Sequence, residues 1–228
     1  MSEVKSIANF FKENNYVVIN KLISDEMCTL FYQYIKTSAS SIDYKITYDK
    51  NSYDGYWDGV FGDTQIENSF CRYGDPLFDS LMSLLQKNIE DKLDLKLSHN
   101  YSYYRLYQTK NVLREHIDRE SCEISLTIPV GYDISNVDKT KYDNYSWPIW
   151  LENNKKESLP VALKPGDVLI YRGYKLKHWR EEFLGLNQAQ VFMHYNEKNG
   201  QFDISADNRP MIGLPKKETI YIKDYLKD

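Results

Sequence analysis

The order of predicted elements constrains the fold more than any other feature of this sequence. Helical patterns come first, and from residue 101 onward short strand-like segments follow one another, separated by turns, with no convincing helix. A parallel α/β fold would need helices between its strands throughout. The order therefore predicts an α+β, mainly β protein: an antiparallel double-stranded β-helix, or jelly roll, with supporting helices at its N-terminal end.

The N-terminal part contains three predicted helices. Apolar spacing indicates one over residues 3–14, Ser24 is the predicted N-cap of a second, and Asp75-Pro76 begins a third. Residues 38–75 are rich in Tyr, Asp, Gly and Ser, which suits an irregular surface excursion and a substrate-binding lid equally. We expect a single domain over residues 1–228: helical support and a variable loop (1–100), a jelly-roll core (101–200), and a tail (201–228) whose residues 214–228 form a short helix or a loose end.

Composition limits the classes of partner. The net charge is −4 with both signs interspersed, so no basic tract predicts a nucleic-acid surface. The sequence contains no apolar run of about 18 residues, so we expect no membrane-spanning helix. The three cysteines, Cys28, Cys71 and Cys122, are unclustered, which indicates reduced thiols without a disulfide and a cytoplasmic protein. The oligomeric state stays open.

A candidate metal site lies in the strand-rich half. We expect His116 and Asp118 to open a strand, where residues two apart share a face, and His178 to lie in a later strand. Two imidazoles and one carboxylate on one face of a metal leave positions open, which is typical of non-haem Fe(II). An isolated His-x-Asp pair also suits a solvated strand edge. We assign His99 to the surface and His194 to the core or a strand end, because neither has a carboxylate at ligand spacing.

Several motifs together resemble the 2-oxoglutarate/Fe(II)-dependent dioxygenases, in particular their prolyl-4-hydroxylase-like branch. The resemblance covers about half of the chain: Tyr107, a turn over 108–111 and His116-x-Asp118, then segments 163–171, 178–185 and 189–195. It implies that His116, Asp118 and His178 are catalytic Fe(II) ligands. It also implies 2-oxoglutarate as co-substrate, with ascorbate as a candidate reductant, and a hydroxylation that releases succinate and carbon dioxide.

The sequence departs from that branch at the cation expected to bind the far carboxylate of 2-oxoglutarate. The corresponding positions are Asn187 and Gln188. Alternation along strands places Arg180 on the face of His178 and Arg105 on the face of Tyr107. We predict that Arg180, or failing it Arg105, binds the carboxylate with Tyr107 and Gln188 as hydrogen-bonding partners. Arg180 could instead pair with Glu181 or Glu182.

Other interpretations remain at this stage. Arg119 and Glu123 suit a structural ion pair, or the binding of a polar or zwitterionic substrate. A cupin-type metalloenzyme usually has a denser histidine motif than a chain with four histidines offers. A non-catalytic jelly-roll binding module would make the triad incidental. The expected partner is a peptide or a small-molecule substrate, so a peptide residue, an amino acid and a small metabolite are all candidates for hydroxylation.

Overall fold

The helices begin and end where local capping chemistry allows. The computed structural model describes residues 2–216, with side chains from residue 6. Ser24 caps α2 by accepting a hydrogen bond from the Met27 amide, and Asp75 caps α4 in the same way through Leu77. No helix in residues 2–216 is long and apolar enough to cross a membrane. The helices are α1 (Ser2–Asn14), α2 (Asp25–Tyr48), α3 (Gly55–Asp58) and α4 (Pro76–Leu93).

Eleven strands in the described residues form two antiparallel sheets. The larger sheet has the order β1-β9-β6-β11-β4-β3-β2, and the smaller has the order β5-β10-β7-β8. These sheets confirm the predicted jelly roll and its mainly β class. The strands are β1 (Tyr16–Ile19), β2 (Val60–Phe61), β3 (Phe70–Tyr73), β4 (Leu97–Gln108), β5 (Leu113–His116), β6 (Ile124–Asp133), β7 (Ile149–Glu152), β8 (Ser158–Val161), β9 (Val168–Tyr171), β10 (His178–Arg180) and β11 (Asn187–Glu197).

One face of the large sheet packs in the hydrophobic core, and the other lines a cavity. On β4, Tyr104 and Leu106 join the hydrophobic core beneath α2 and α4, and Val191 and Met193 do so on β11. The alternate residues point the other way, because successive side chains in a strand lie on opposite faces. That second face carries Tyr103, Arg105 and Tyr107 from β4 and Phe192 and His194 from β11, all of which line a cavity.

Residues 38–75 are more regular than their composition indicated. Helix α2 continues to Tyr48, since Ala39 and Ile42 are buried on its inner face. Further along, β3 pairs with β4, and Phe70 is fully buried. The excursion is therefore largely helix and strand at one edge of the sheet. It reaches the cavity through a turn over 63–65 and through Tyr73 on β3. The predicted helix or tail at 214–228 falls mostly on residues 217–228, which lie outside the described residues.

The strand boundary around the predicted metal ligands is also different. His116 ends β5 instead of opening a strand, and Asp118 lies in the loop beyond it. The expectation that strand alternation places both side chains on one face is therefore wrong in its premise. The loop brings them together instead: the Asp118 amide donates to the carbonyl oxygen of Gly173 at 2.9 Å, which anchors the loop beside β10.

All three cysteines are buried and free. Burial raises the pKa of the Cys28 thiol to about 11 and that of Cys71 to about 12, so neither is a reactive thiolate at neutral pH. We expect intact masses measured with and without reductant to be identical, and thiol reagents to label three cysteines only after denaturation. A mass difference of two hydrogens would contradict this expectation.

Candidate active site

Three predicted ligands converge at one end of the cavity. His116 and His178 are directly opposite each other in the register of β5 and β10, with ring centroids 4.2 Å apart. Oδ1 of Asp118 lies 3.6 Å from Nε2 of each histidine. The three ligand atoms lie within 4.8 Å of one another, which is close enough for one metal ion to contact all of them.

Hydrogen bonds to the backbone orient both imidazoles. Nδ1 of His116 lies 2.8 Å from the carbonyl oxygen of Arg114, and Nδ1 of His178 lies 2.9 Å from that of Leu176. A carbonyl oxygen can only accept, so each Nδ1 carries a proton, and when the ring is neutral its lone pair is on Nε2. The Nε2 atoms of both histidines therefore face Asp118. A proton on Nδ1 and a lone pair on Nε2 is the tautomer in which Nε2 can bind a metal.

Charge states near the triad suit metal binding. Burial raises the pKa of Asp118, but the neighbouring His178, His194 and His116 outweigh it and hold that pKa well below its usual range. Burial, followed by the charge of His178, lowers the pKa of His116. The pKa of His178 is raised because Asp118 outweighs its burial, so a metal would displace a proton there and bind more weakly in acid.

Two residues that sequence analysis did not single out support Asp118. The Ser125 hydroxyl donates to Oδ2 of Asp118 at 3.2 Å, which leaves Oδ1 free to face the histidines. A Cβ atom at Gly173 would lie 2.3 Å from Oδ2 of Asp118 and 2.6 Å from Oγ of Ser125, so no side chain fits there. No local sequence motif indicates these roles, because Ser125 and Gly173 contact Asp118 from other segments of the chain.

Removing the Ser125 hydroxyl should weaken the site without destroying it. We expect Ser125→Ala to lower Fe(II) affinity about tenfold, the lower end of the loss seen when a partner of a metal ligand is removed. An anaerobic Fe(II) titration measures this. The exposed Ser41→Ala is the control and should keep the affinity of the unchanged protein; equal affinity in both variants would show that Ser125 does not support the ligand.

The cavity beside the triad has a volume of about 550 Å³ and lies between the two sheets. Its wall contains three arginines, Arg105, Arg119 and Arg180, each from a different part of the chain. Tyr107 also lines it, as predicted, and packs edge-on against Trp147 with centroids 4.8 Å apart. The cavity is thus wide enough for a small ligand and unusually rich in cations.

Arg180 is buried without an acidic partner. It is 2% exposed, its Nη1 donates to the carbonyl oxygen of Trp147 at 2.8 Å, and its guanidinium lies 4.6 Å from the centre of the Trp147 ring. Its Nε has no hydrogen-bond partner, and within residues 6–216 no carboxylate forms an ion pair with it, so pairing with Glu181 or Glu182 is not observed. Burial lowers the pKa of this guanidinium.

Arg105 is equally buried but is already paired. Its guanidinium forms an ion pair with Asp63 and donates to Gln65 Oε1 at 3.1 Å and to the Tyr107 hydroxyl at 3.4 Å. Burial lowers its pKa, but Tyr103, Tyr107 and Asp63 outweigh burial and raise it. Of the two candidate arginines, Arg180 is therefore the one whose charge is not balanced by a carboxylate.

The strand-end amides Asn187 and Gln188 form hydrogen bonds with other residues of the protein. The Gln188 amide donates to Gln190 Oε1 at 3.1 Å, and Gln188 is not among the residues that line the cavity. Asn187 accepts a hydrogen bond from the Tyr32 hydroxyl at 2.6 Å. The structure therefore brings Tyr107 and both arginines to the cavity wall, whereas Gln188, directly opposite Tyr107 in the pairing of β11 with β4, is not part of the lining.

Two polar residues near the triad have partners that the sequence did not indicate. His194 is buried in β11, in agreement with its assignment to the core or a strand end. His194 lines the cavity, and its ligand atom lies within 4.8 Å of those of Asp118 and Cys122, so a carboxylate is close to it. Arg119 does not pair with Glu123; it pairs with Asp207, far along the sequence, while Glu123 lies 3.8 Å from Arg172. In both cases the partner comes from another segment, which spacing along the chain cannot reveal.

The fold places the chain in a known structural class. No protein-family model matches the sequence, and no curated protein matches it either. Solved structures do match, and the fold is that of the 2-oxoglutarate- and Fe(II)-dependent oxygenases, including prolyl 4-hydroxylases, as the sequence motifs indicated.

Three of these structures show the extent of the likeness. A Pseudomonas putida prolyl-4-hydroxylase has a TM-score of 0.62 at 9% identity, covering 85% of this chain and 98% of that one. A Trichoplax adhaerens prolyl hydroxylase, in complex with a hypoxia inducible factor oxygen degradation domain peptide, has a TM-score of 0.62 at 14% identity. The match covers 86% of this chain and 90% of that one. HygX from Streptomyces hygroscopicus, with nickel and 2-oxoglutarate bound, has a TM-score of 0.57 at 13% identity. The match covers 85% of this chain and 87% of that one. At such identities the likeness establishes a shared fold.

Proposed function

We propose that this protein is a non-haem Fe(II)- and 2-oxoglutarate-dependent dioxygenase that hydroxylates a C–H bond. The observation that carries the proposal is the presence, in one cavity, of a His-Asp-His triad with its lone pairs aligned and of a buried arginine without a carboxylate partner. A site for metal alone would not explain the arginine. A dicarboxylate co-substrate beside the metal explains both.

The triad fits Fe(II). His116 and His178 present Nε2 atoms and Asp118 presents Oδ1, so two nitrogens and one oxygen would contact the ion from one side. The opposite side faces the cavity, which leaves room for other ligands. Zinc sites with all four positions filled by side chains need a fourth ligand, and none of the other described histidines, cysteines or acidic residues belongs to this group.

Arg180 fits the far carboxylate of 2-oxoglutarate. A buried guanidinium without an anion is unfavourable, and a carboxylate would accept from its unpaired Nε and neutralise its charge. Because Arg180 lies two residues after His178 on β10, a ligand that contacts Arg180 can also reach the triad. Tyr107, on the adjacent wall, lies where it can flank the same ligand.

The residues of the chain would position the reactants and keep water away. Fe(II) with 2-oxoglutarate and oxygen would supply the oxidising power, with release of succinate and carbon dioxide. Leu113, Ile149 and Phe192 give the cavity apolar wall area, which limits access of bulk water. Ser125 holds Asp118 in place, and the carbonyl oxygens of Arg114 and Leu176 hold the histidines.

The substrate would be a peptide residue, an amino acid or a small metabolite. The matching Trichoplax enzyme was solved with a peptide, which supports a peptide residue as one candidate. The volume of the cavity suits a small molecule equally. Three buried free thiols fit a reducing compartment, so we place the protein in the cytoplasm.

Anaerobic spectroscopy tests the function without knowledge of the substrate. Fe(II) and 2-oxoglutarate should together produce a weak visible charge-transfer band that neither produces alone. The band should disappear when oxygen is added. His99→Ala, a histidine hydrogen-bonded to Gln86 and outside the cavity lining, is the matched control and should keep the band. A non-catalytic binding module would give no band, and that result would overturn the proposal.

A further inference from the structure

The cavity is more cationic than the protein that surrounds it. The chain has a net charge of −4, yet four cationic side chains line the cavity and, within the described residues, two carboxylates do. Asp118 belongs to the triad and Asp63 is paired with Arg105. Arg180 has the role assigned above. The remaining cations are Arg119 and Lys216, and the proposed function does not use them.

Arg119 and Lys216 converge on a single carboxylate. Both Nη atoms of Arg119 donate to Asp207, at 3.0 and 2.7 Å, and Nζ of Lys216 lies 3.4 Å from Oδ2 of Asp207. Asp207 also accepts from the Tyr73 hydroxyl at 2.7 Å. Two positive charges therefore share one negative charge, and among residues 6–216 this cluster has an excess of one positive charge.

The excess charge faces the cavity. Asp207 is 2% exposed and is not among the cavity-lining residues, whereas the side chains of Arg119 and Lys216 line the cavity and are 47% and 23% exposed. Asp207 therefore supports the cations from behind and leaves their outer side open. An anion in the cavity could contact them without displacing Asp207.

Aromatic contacts connect this cluster to the triad. The Arg119 guanidinium lies 4.7 Å from the centre of the Tyr101 ring, and that ring lies 4.5 Å from the ring of His194. His194 is in turn 3.0 Å from Ser125, which holds Asp118. The cluster thus lies on the Asp118 side of the metal position, and Arg180 occupies a separate part of the wall.

We propose that Arg119 and Lys216 form a substrate subsite for a carboxylate, so that the substrate is a small organic acid or an amino acid. This inference rests on the proposed function for the reaction at the triad. The carboxylate binds the two cations, Tyr73 and Tyr101 flank it, and the carbon to be oxidised lies toward the metal position. Asp207 uses one N–H of each Nη atom of Arg119, so the substrate carboxylate accepts from the remaining N–H groups of Arg119 and from Nζ of Lys216. The excess positive charge of the cluster selects an anion over a neutral amide.

Matched pairs of acid and amide test the subsite. The probes are free and N-acetylated amino acids and short aliphatic acids, each alongside its own carboxamide. Binding is measured by calorimetry without oxygen on the protein loaded with Fe(II) and 2-oxoglutarate, and turnover is followed separately as succinate formed in air. We expect at least one acid to bind about tenfold or more tightly than its amide.

The variants are chosen so that no buried charge is left alone. Arg119→Gln with Asp207→Asn removes an ion pair as a unit, and Lys216→Gln removes the second cation; together they should reduce the preference for acid to within about twofold. The control Lys139→Gln with Lys155→Gln removes two exposed charges that do not line the cavity and should keep the preference.

The results separate this inference from the proposed function. If no acid binds better than its amide, or if the preference persists in the triple variant, the subsite is overturned. Turnover without any preference for acids would overturn the subsite and leave the dioxygenase proposal intact. A preference for acids without succinate formation would support the subsite and count against the dioxygenase proposal.

Discussion

Replacing Asp118 with alanine is expected to abolish Fe(II) binding and with it any turnover of 2-oxoglutarate. Asp118 is the one anionic residue of the candidate triad, and its Oδ1 lies 3.6 Å from both histidine Nε2 atoms. Loss of a direct ligand should exceed the 10- to 100-fold loss typical of a supporting residue, so we expect affinity to fall by more than about 100-fold. His116→Ala should have the same effect.

Iron content after anaerobic reconstitution measures this loss, and circular dichroism checks the fold. Asp138→Ala, an exposed carboxylate whose bonds are local to its own turn, is the control. Full iron binding by Asp118→Ala would remove Asp118 from the metal site. Asp118, Cys122 and His194 form a second group that could hold a metal ion, and Asp118→Ala removes the carboxylate from both groups. His116 belongs to the triad alone, so His116→Ala distinguishes the two sites.

Replacing Arg180 with methionine is expected to raise the concentration of 2-oxoglutarate needed for half-maximal turnover about 100-fold. Methionine keeps much of the volume against Trp147 but offers no charge to the co-substrate. Removing one partner of a buried ion pair costs about 3 kcal/mol or more, which corresponds to about two powers of ten in affinity. Fe(II) affinity should change far less, because Arg180 forms no hydrogen bond with a triad residue and acts on His178 only through its charge.

The matched comparison is Arg105→Met with Asp63→Asn, which removes the other buried guanidinium together with the carboxylate that balances it. We expect this pair of changes to alter the 2-oxoglutarate requirement far less than Arg180→Met does. A large rise in the Arg105 variant with none in Arg180→Met would transfer the role to Arg105. An unchanged requirement in both would mean that the co-substrate is a different molecule.

Much of the architecture could be predicted because it rests on local rules. Ser24 and Asp75-Pro76 marked the starts of α2 and α4 through capping, and these signals act within four residues. Residues 38–75 resisted prediction because the burial of Ala39 and Phe70 depends on packing against distant segments. The strand limit at His116 was misplaced for the same reason: β5 ends where its pairing with β10 ends.

The sequence by itself determined the mainly β order of elements and the residue types of the candidate metal site, because alternation and residue chemistry are properties of short segments. It also pointed to Arg180, through its spacing from His178. The tertiary structure decided which charges are balanced. Asp63 reaches Arg105 and Asp207 reaches Arg119 across long separations, while Arg180 is left without a carboxylate. The energy of a buried charge depends on what surrounds it in space, and neighbours along the chain do not specify that.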